Sequence, residues 1–297
     1  MIKRTLYLAL GLVSYSAWAL PDYEPFANAT GSGGTSYATG ANLVGQTGVD
    51  GQSWTQAGPT GSVTPKIVSG DLTIPGLYSA GGGQSASFGG NGESARLNLS
   101  SSSTSGTIYY SFSMKLNDLT GMSSTGVFWA GLNNSTGTQT GTPSVVATRV
   151  ITKSAGAGLY SIGLDKSSSV TGNFVFAPGT YSTSDTVFIV GSYTFNTVGN
   201  TTDDLSQLWV NPSSATFGAA SAPGGSLSST SGTDLAAVAS FVLFDRNAAE
   251  PAAGQLDDLR IATDWADVTP VVPEPSVIAL TAVGCLSVIG LRRMFRK

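Results

Sequence analysis

The feature that most constrains this fold is an alternation of apolar and polar residues with a period of two. The strongest example covers residues 107–116. One face holds Ile108, Tyr110, Phe112, Met114 and Leu116, and the other holds Tyr109, Ser111, Ser113 and Lys115. Successive side chains of a β-strand point to opposite faces, so this pattern predicts a strand with one buried side.

Similar strand patterns recur along the chain and are separated by turn-forming residues. They cover residues 95–99, 160–164, 187–195, 205–210, 240–245 and 256–262, while residues 127–132 and 145–152 are apolar on both faces. Clusters of Gly, Asn, Pro and Ser lie between them, and only residues 234–240 could form a short helix. About a dozen strands without crossover helices predict an all-β antiparallel sandwich or barrel.

The N-terminus has the three parts of a secretory signal. Lys3 and Arg4 precede an apolar run at residues 6–13, and Ala17 and Ala19 are the small residues that signal peptidase accepts. The run is too short for a membrane anchor and no stop-transfer pattern follows it. We therefore predict a signal peptide at residues 1–19, cleaved after Ala19.

The C-terminus also has three parts. Pro273, Glu274 and Pro275 precede an uncharged apolar run at residues 276–291, and a basic tail at residues 292–297 begins with Arg292 and Arg293. Sixteen helical residues span about 24 Å, close to the thickness of a bilayer core. The run is predicted to be a transmembrane helix with its basic tail in the cytoplasm. The body at residues 20–267 and a Pro-rich linker at residues 268–275 then lie outside.

This C-terminal combination resembles the PEP-CTERM sorting signal of Gram-negative bacteria that make exopolysaccharide. The resemblance covers about the last 25 residues, with Pro273, Glu274, Pro275, Arg292 and Arg293 as the sorting motif. It implies recognition and removal of the tail by the membrane enzyme exosortase. The expected location is a precursor anchored in the inner membrane, followed by the cell surface or the extracellular matrix.

Composition excludes several classes of function. The two ends hold six of the 14 Lys and Arg residues and one of the 18 acidic residues, which leaves the body eight cations and 17 anions. This charge argues against nucleic acid or anionic lipid as a partner of the body. Histidine is absent, and the single cysteine, Cys285, lies in the predicted span. Catalysis through Ser-His-Asp or Cys-His, zinc bound by histidine and disulfide bonds in the body are therefore excluded.

The order of motifs in the body resembles the concanavalin A-like lectin and glucanase (LamG-like) jelly rolls. The resemblance rests on these segments: Glu24-Pro25-Phe26, Gly51-Gln52-Ser53-Trp54, residues 108–112, Leu208-Trp209-Val210-Asn211-Pro212, residues 256–261, and Asp264-Trp265. It implies two curved antiparallel sheets of about six strands each, with the last strand docked beside the first.

The carboxylates are candidates for catalytic or metal-binding groups. Glucanases of this fold use the pattern Glu-x-Asp-x-x-Glu, which is absent, and Glu24, Glu93 and Glu250 are far apart among turn residues. No catalytic residue and no cofactor is therefore predicted. Asp203-Asp204 and Asp257-Asp258 could supply oxygen ligands for calcium, but neighbouring strand residues point to opposite sides. A structural role is favoured, with Asp257-Asp258 at the entry to the final strand and Arg260 as their partner.

The tryptophans are candidates for a surface on which a sugar ring stacks. Trp129 and Trp209 lie in apolar strands and are predicted to be core residues, whereas Trp54 and Trp265 are expected to pack on one another where the chain ends meet.

Two classes of function remain. The preferred one is a non-enzymatic surface or matrix protein whose sandwich binds polysaccharide, and the alternative is a carboxylate-dependent polysaccharide hydrolase or lyase. A carboxylate pair on the concave face of the sandwich would favour the enzyme. A groove lined by Tyr, Asn and Gln on that face would favour binding.

Overall fold

The computed structural model describes residues 20–27, 37–48, 50–61, 63–168, 170–196, 201–245, 249–251 and 253–272. The predicted signal peptide with Ala17 and Ala19 lies outside the described residues. So do the apolar run at residues 276–291 and the predicted sorting motif of Pro273, Glu274, Pro275, Arg292 and Arg293.

Among the described residues, sixteen strands form two antiparallel sheets of eight strands each, so the all-β prediction is confirmed. The first, sheet I, has the order β14-β13-β12-β6-β16-β4-β3, and β1 also pairs with β16. Its strands are β1 (Asp22–Glu24), β3 (Ile67–Ser69), β4 (Gln84–Phe88), β6 (Thr107–Asp118), β12 (Val187–Thr194), β13 (Leu205–Val210), β14 (Leu227–Ser229) and β16 (Ala253–Ala262).

The second, sheet II, has the order β10-β9-β8-β7-β15-β5-β2, and β11 also pairs with β9. Its strands are β2 (Trp54–Gln56), β5 (Ala95–Ser103), β7 (Val127–Asn133), β8 (Val146–Gly156), β9 (Leu159–Asp165), β10 (Val175–Phe176), β11 (Tyr181–Ser182) and β15 (Val238–Leu243). The count exceeds the dozen expected because several strands have only two or three residues, too short to show an alternation.

The main core lies between the two sheets and follows the predicted register of β6. Ile108, Tyr110, Phe112, Met114 and Leu116 are all fully buried there. Aromatic rings of the two sheets contact one another in this core. Phe112 of sheet I packs edge-on against two rings of sheet II, Trp129 at 5.7 Å and Phe241 at 5.8 Å. Such edge-to-face contacts add to the stability gained from area burial alone.

The last strand, β16, lies in the middle of sheet I. It pairs with β6 along one side, while its other side pairs first with β4 and then with β1. Asp22 is opposite Ile261, and Glu24 is opposite Leu259. The expectation that the last strand pairs antiparallel with a strand near residues 20–80 is confirmed.

A smaller apolar cluster covers the outer face of sheet I. Trp209 of β13 meets Trp265 at 5.1 Å, and Tyr109 of β6 contacts both rings. Trp265 begins the short helix α1 (Trp265–Val268), and the indole donates to the Thr216 carbonyl at 2.8 Å. The following residues stay on this surface, because Val271 forms an isolated bridge with Leu77.

Two expectations about local structure are wrong. Trp54 of β2 packs against Phe26 at 5.9 Å in the main core and not against Trp265, because Trp265 lies in helix α1 within the apolar cluster on the outer face of sheet I. Residues 234–240 do not form a helix, since strand β15 begins at Val238 and pairs with both β5 and β7. Ladder hydrogen bonds and burial on both faces override weak helix propensity there. Across the described ranges, no helix has the length and apolarity needed to cross a bilayer.

Truncation of Phe112 tests the packing of the main core. Phe112→Ala should lower the free energy of unfolding by about 3–5 kcal/mol, because it leaves a cavity among buried aromatic rings. Val63→Ala is the control, since the Val63 side chain is about half exposed. Urea unfolding of both variants measures the effect. Equal stabilities of the two variants would contradict the assignment of Phe112 to the core.

Candidate functional site

The outer face of sheet II carries three rows of side chains that run across the strands. Each row joins residues that face one another on neighbouring strands, and alternation directs these side chains away from the main core. Amide and hydroxyl groups form the first row, which we call the amide row. Its members are Asn98 on β5, Ser240 on β15 and Asn133 on β7, followed by Val146 on β8.

The second row, the arginine row, lies beside the first. Arg96 on β5 is opposite Val242 on β15, which is in turn opposite Gly131 on β7. Gly131 lies against Arg149 on β8, because a Cβ at this glycine would be 3.4 Å from the Arg149 Cα. Two arginines thus stand in one row with a short aliphatic side chain and a glycine between them.

The third row, the phenylalanine row, is apolar. Phe244 and Phe128 stack with ring centroids 5.1 Å apart. Phe128 is opposite Ile151, which is opposite Gly163. Gly163 leaves room for the Phe176 ring, since a Cβ there would lie only 2.7 Å from a ring carbon of Phe176. The row gives this face a small hydrophobic base of its own.

The loop at residues 134–145, which we call the flap, folds back over the amide row and over Arg96. Ser240 donates to the Ser135 carbonyl at 2.7 Å, and the Gly137 N–H donates to Asn98 at 2.8 Å. The Arg96 guanidinium donates to the Gly137 carbonyl at 3.1 Å and to the Gln139 side chain at 2.8 Å. Backbone bonds also tie the flap to the end of β2, since the Gln139 N–H donates to the Gln56 carbonyl at 2.9 Å and the Gly58 N–H donates to the Gln139 carbonyl at 2.8 Å.

Arg96 and Arg149 differ in how their charges are balanced. Arg149 donates to the Asp165 carboxylate at 2.9 Å and lies 4.3 Å from the Phe128 ring centroid. Arg96 is fully buried, and all of its acceptors are neutral: the Asn133 and Gln139 side chains and the Gly137 carbonyl. Its Nε has no hydrogen-bond partner among the described residues. Burial lowers the pKa of Arg96, but a guanidinium stays charged in proteins.

A cleft of about 240 Å³ opens where the flap meets the phenylalanine row. Its lining residues are Pro59, Thr60, Gly61, Asn91, Gly92, Ser94, Thr142 and Phe244. Thr142 belongs to the flap, and Phe244 is the aromatic member of this lining. Hydroxyl and amide groups around an aromatic ring are suited to hold a polar, uncharged group such as a sugar hydroxyl. None of these lining side chains is ionisable, so they offer no general acid or base.

Of the aspartates weighed for calcium, Asp203 and Asp204 lie close to Asp234, which sequence reasoning missed. One carboxylate oxygen from each lies within 4.8 Å of the others. Lys166 forms an ion pair with Asp234, and the N–H groups of Asp203 and Asp204 donate to the Asp234 carboxylate. Tyr193 donates to Asp204 at 2.5 Å. Lys166 and two backbone N–H groups serve Asp234, and Tyr193 serves Asp204, whereas the Asp203 Oδ1 atom has no hydrogen-bond partner among the described residues.

Asp257 and Asp258 lie inside the last strand and not at its entry, because β16 begins at Ala253. The ladder between β16 and β6 shifts register between Asp257 and Arg260, and Asp258 has a positive φ of 54°. Aspartate tolerates this conformation better than most residues, which fits a β-bulge. The expected partner is confirmed, since Arg260 lies 3.5 Å from the Asp258 carboxylate and Tyr23 donates to it.

Glu24 is a buried structural residue of β1 and not a turn residue as expected. Its carboxylate accepts from the Phe26 N–H at 2.8 Å, from the Trp54 indole at 3.1 Å and from the Tyr37 hydroxyl. Burial nevertheless raises the pKa of Glu24 to about 7. Its three donors tie the first strand to the start of sheet II.

Comparisons with known proteins show only distant likeness. No family profile matches the chain, and no curated protein matches it. The receptor binding domain of botulinum neurotoxin D is 13% identical, with a TM-score of 0.36, and the match covers 69% of this chain and 45% of that one. Alginate lyase A1-II', of polysaccharide lyase family 7, is 13% identical with a TM-score of 0.37, over 76% of this chain and 85% of the lyase.

A third match is the ligand binding domain of botulinum neurotoxin serotype D in complex with N-acetylneuraminic acid. It is 12% identical, with a TM-score of 0.35, and the match covers 69% of this chain and 44% of the toxin domain. The chain thus spans less than half the length of the toxin structures that it matches. Likeness at these values supports no family or function, and the two-sheet sandwich is established by its own strand pairing.

The buried carboxylates predict how stability depends on pH. Burial raises the pKa of Glu24 to about 7, of Asp245 to about 7 and of Asp257 to about 8. The folded state therefore binds more protons than the unfolded state between about pH 4 and 8, so the free energy of unfolding should fall as pH rises through this range.

Urea unfolding at pH 5, 6, 7 and 8 measures this dependence without interference from imidazole, since the chain has no histidine. Glu24→Gln removes one of the titrating groups and should flatten the slope between pH 5 and 7. A stability that increases from pH 5 to pH 8 would contradict the prediction.

Proposed function

We propose that this chain is a non-enzymatic, exported surface protein whose sandwich, a jelly roll of the concanavalin A-like type, binds polysaccharide on the outer face of sheet II. The observation that carries the proposal is the cleft beside the flap. Its polar groups, from Thr60, Asn91, Ser94 and Thr142, surround Phe244. Thr60, Asn91 and Thr142 are exposed and offer hydrogen bonds to sugar hydroxyls, whereas Phe244 and Ser94 are each only 2% exposed and contribute to the wall of the cleft.

The same cleft supports binding over the alternative, a carboxylate-dependent hydrolase or lyase. Glycoside hydrolysis needs two carboxyl groups about 5–10 Å apart across the scissile bond. The residues that line the cleft supply none. Asp165, the carboxylate carried by the described strands of this sheet, is buried and paired with Arg149, and Asp245, which lies beside Gly92, is also buried. The proposal therefore assigns this face to recognition and not to chemistry.

Sorting to the surface completes the proposal and rests on the sequence of the two ends. Signal peptidase would cleave after Ala19, and exosortase would recognise Pro273-Glu274-Pro275 with the basic residues Arg292 and Arg293. Residues 276–291 would hold the precursor in the inner membrane until processing. The body would then reach the surface or the matrix, where exopolysaccharide is the available polymer.

Glycan binding by the purified full chain tests the first part of the proposal. A glycan array, probed with and without calcium, should show binding that the double variant Asn91→Ala/Thr142→Ala weakens by about 10–30-fold. Two hydrogen bonds of about 1 kcal/mol each account for this loss. Thr183→Ala is the matched control, because Thr183 lines a separate cleft of about 410 Å³ near the β8–β9 turn. Failure to bind any glycan, or equal losses in both variants, would reject the site.

Replacement of the sorting motif tests the second part. With Pro273, Glu274 and Pro275 changed to alanine, exosortase should no longer process the tail, and an uncleaved precursor should accumulate in the membrane fraction. The measurement is the size and fractionation of the chain in a host that makes exosortase. Equal release of variant and wild type would remove the sorting assignment.

A further inference from the structure

The arginine row points to the class of polysaccharide that the protein takes. We infer that Arg96 is a recognition site for the carboxylate group of an acidic polysaccharide, uncovered when the flap lifts from sheet II. The inference rests on the proposed function and specifies its ligand. It starts from the uncompensated charge of Arg96 beneath the flap.

A fully buried guanidinium without an ion pair is costly, because desolvation of the charge is repaid only in part by neutral acceptors. Fully buried arginines are rare unless they are paired. Arg149, in the same row, shows the usual solution, since it donates to the Asp165 carboxylate. Arg96 donates only to neutral oxygens, and its Nε has no partner among the described residues.

The contacts of Arg96 with the flap define what could replace them. Both terminal nitrogens donate to flap oxygens, Nη1 to the Gly137 carbonyl and Nη2 to the Gln139 side chain, at 3.1 and 2.8 Å. A carboxylate presents two oxygens to a guanidinium in a planar, bidentate arrangement, and charge-assisted bonds are roughly twice as strong as neutral ones. A ligand carboxylate would therefore displace the two flap oxygens with a gain in bond strength and with compensation of the charge.

The charges of sheet II favour an anionic ligand on this face, although the body as a whole is acidic. The strands of this sheet contain three basic residues, Arg96, Arg149 and Lys153, and one acidic residue, Asp165. Lys153 lies over the Phe176 ring at 3.9 Å, on the same outer face as the arginines. The described strands of sheet II thus carry a net charge of +2.

The flap is placed to respond to a polymer in the neighbouring cleft. Thr142 belongs both to the flap and to the lining of that cleft. Gln139 links Arg96 to Thr142 within the flap, because its side chain accepts from Arg96 and donates to the Thr142 carbonyl at 3.3 Å. A sugar chain that contacts Thr142 would therefore act on the segment that covers Arg96.

Binding of polygalacturonate and of its methyl ester by the full chain tests the inference, because the ester keeps the same sugar chain but replaces the charged carboxylate with a neutral group. Polygalacturonate should bind at least 10-fold more tightly than the ester. Arg96→Gln should remove this preference, whereas Lys115→Gln, which changes a cation on sheet I, should keep it. Calorimetric titration measures the affinities, and urea unfolding verifies that each variant is folded.

Gln139→Ala keeps the test decisive if Arg96→Gln does not fold. This variant lacks the Gln139 side chain that accepts from Arg96, so the flap is held less tightly on sheet II. Polygalacturonate should therefore bind several-fold more tightly to it. A purely structural role of Arg96 would give unchanged or weaker binding. Equal affinity for acid and ester, in a protein that binds neutral glycans on the array, would overturn the inference and leave the proposed function intact. Absence of binding to every glycan would reject both.

Discussion

The pairing of β16 with three other strands is the constraint on which the rest of the fold depends. This strand fills the centre of sheet I, with β6 on one side and β4 and β1 on the other. Its inward residues Leu256, Leu259 and Ile261 belong to the main core. Without β16, both β6 and β4 would present unpaired edges beside an apolar face, which is the arrangement that leads to aggregation. The bulge at Asp258 lets one strand serve two partners on the same side.

The two sheets use their outer faces in different ways. Sheet I is covered by an apolar layer of aromatic rings, the helix α1 and the segment that ends near Val271, and this layer gives the closing strand a second hydrophobic base. Part of sheet II, the amide row with Arg96, lies under a polar flap that is held by hydrogen bonds to side chains and to the backbone of residues 56 and 58. Hydrogen bonds to water can replace those of a polar cover, whereas water cannot replace an apolar contact. The flap is therefore the cover whose contacts other polar groups can replace.

Alternation in the sequence predicted the long strands well and the site poorly. The register of β6 follows from five buried residues at a spacing of two, because burial of one face leaves a clear pattern. The strands β1, β10, β11 and β14 have two or three residues each, too few to show an alternation of apolar and polar residues. The sequence of residues 234–240 shows no strand pattern. The strand that begins at Val238 is formed through the pairing of β15 with two neighbours, and these contacts are long-range.

The burial of charged residues escaped prediction for a similar reason. The sequence placed Arg96 opposite the apolar face of β5, where an arginine is ordinarily solvated. Its burial depends on the flap, which is 40 residues further along the chain, and no local pattern links the two.

Since residue 23 contacts residue 258 across 235 positions, the sandwich also has a high contact order. Such a domain cannot close sheet I until nearly the whole body has been synthesised, so the two sheets remain open to solvent during most of the chain's own translation.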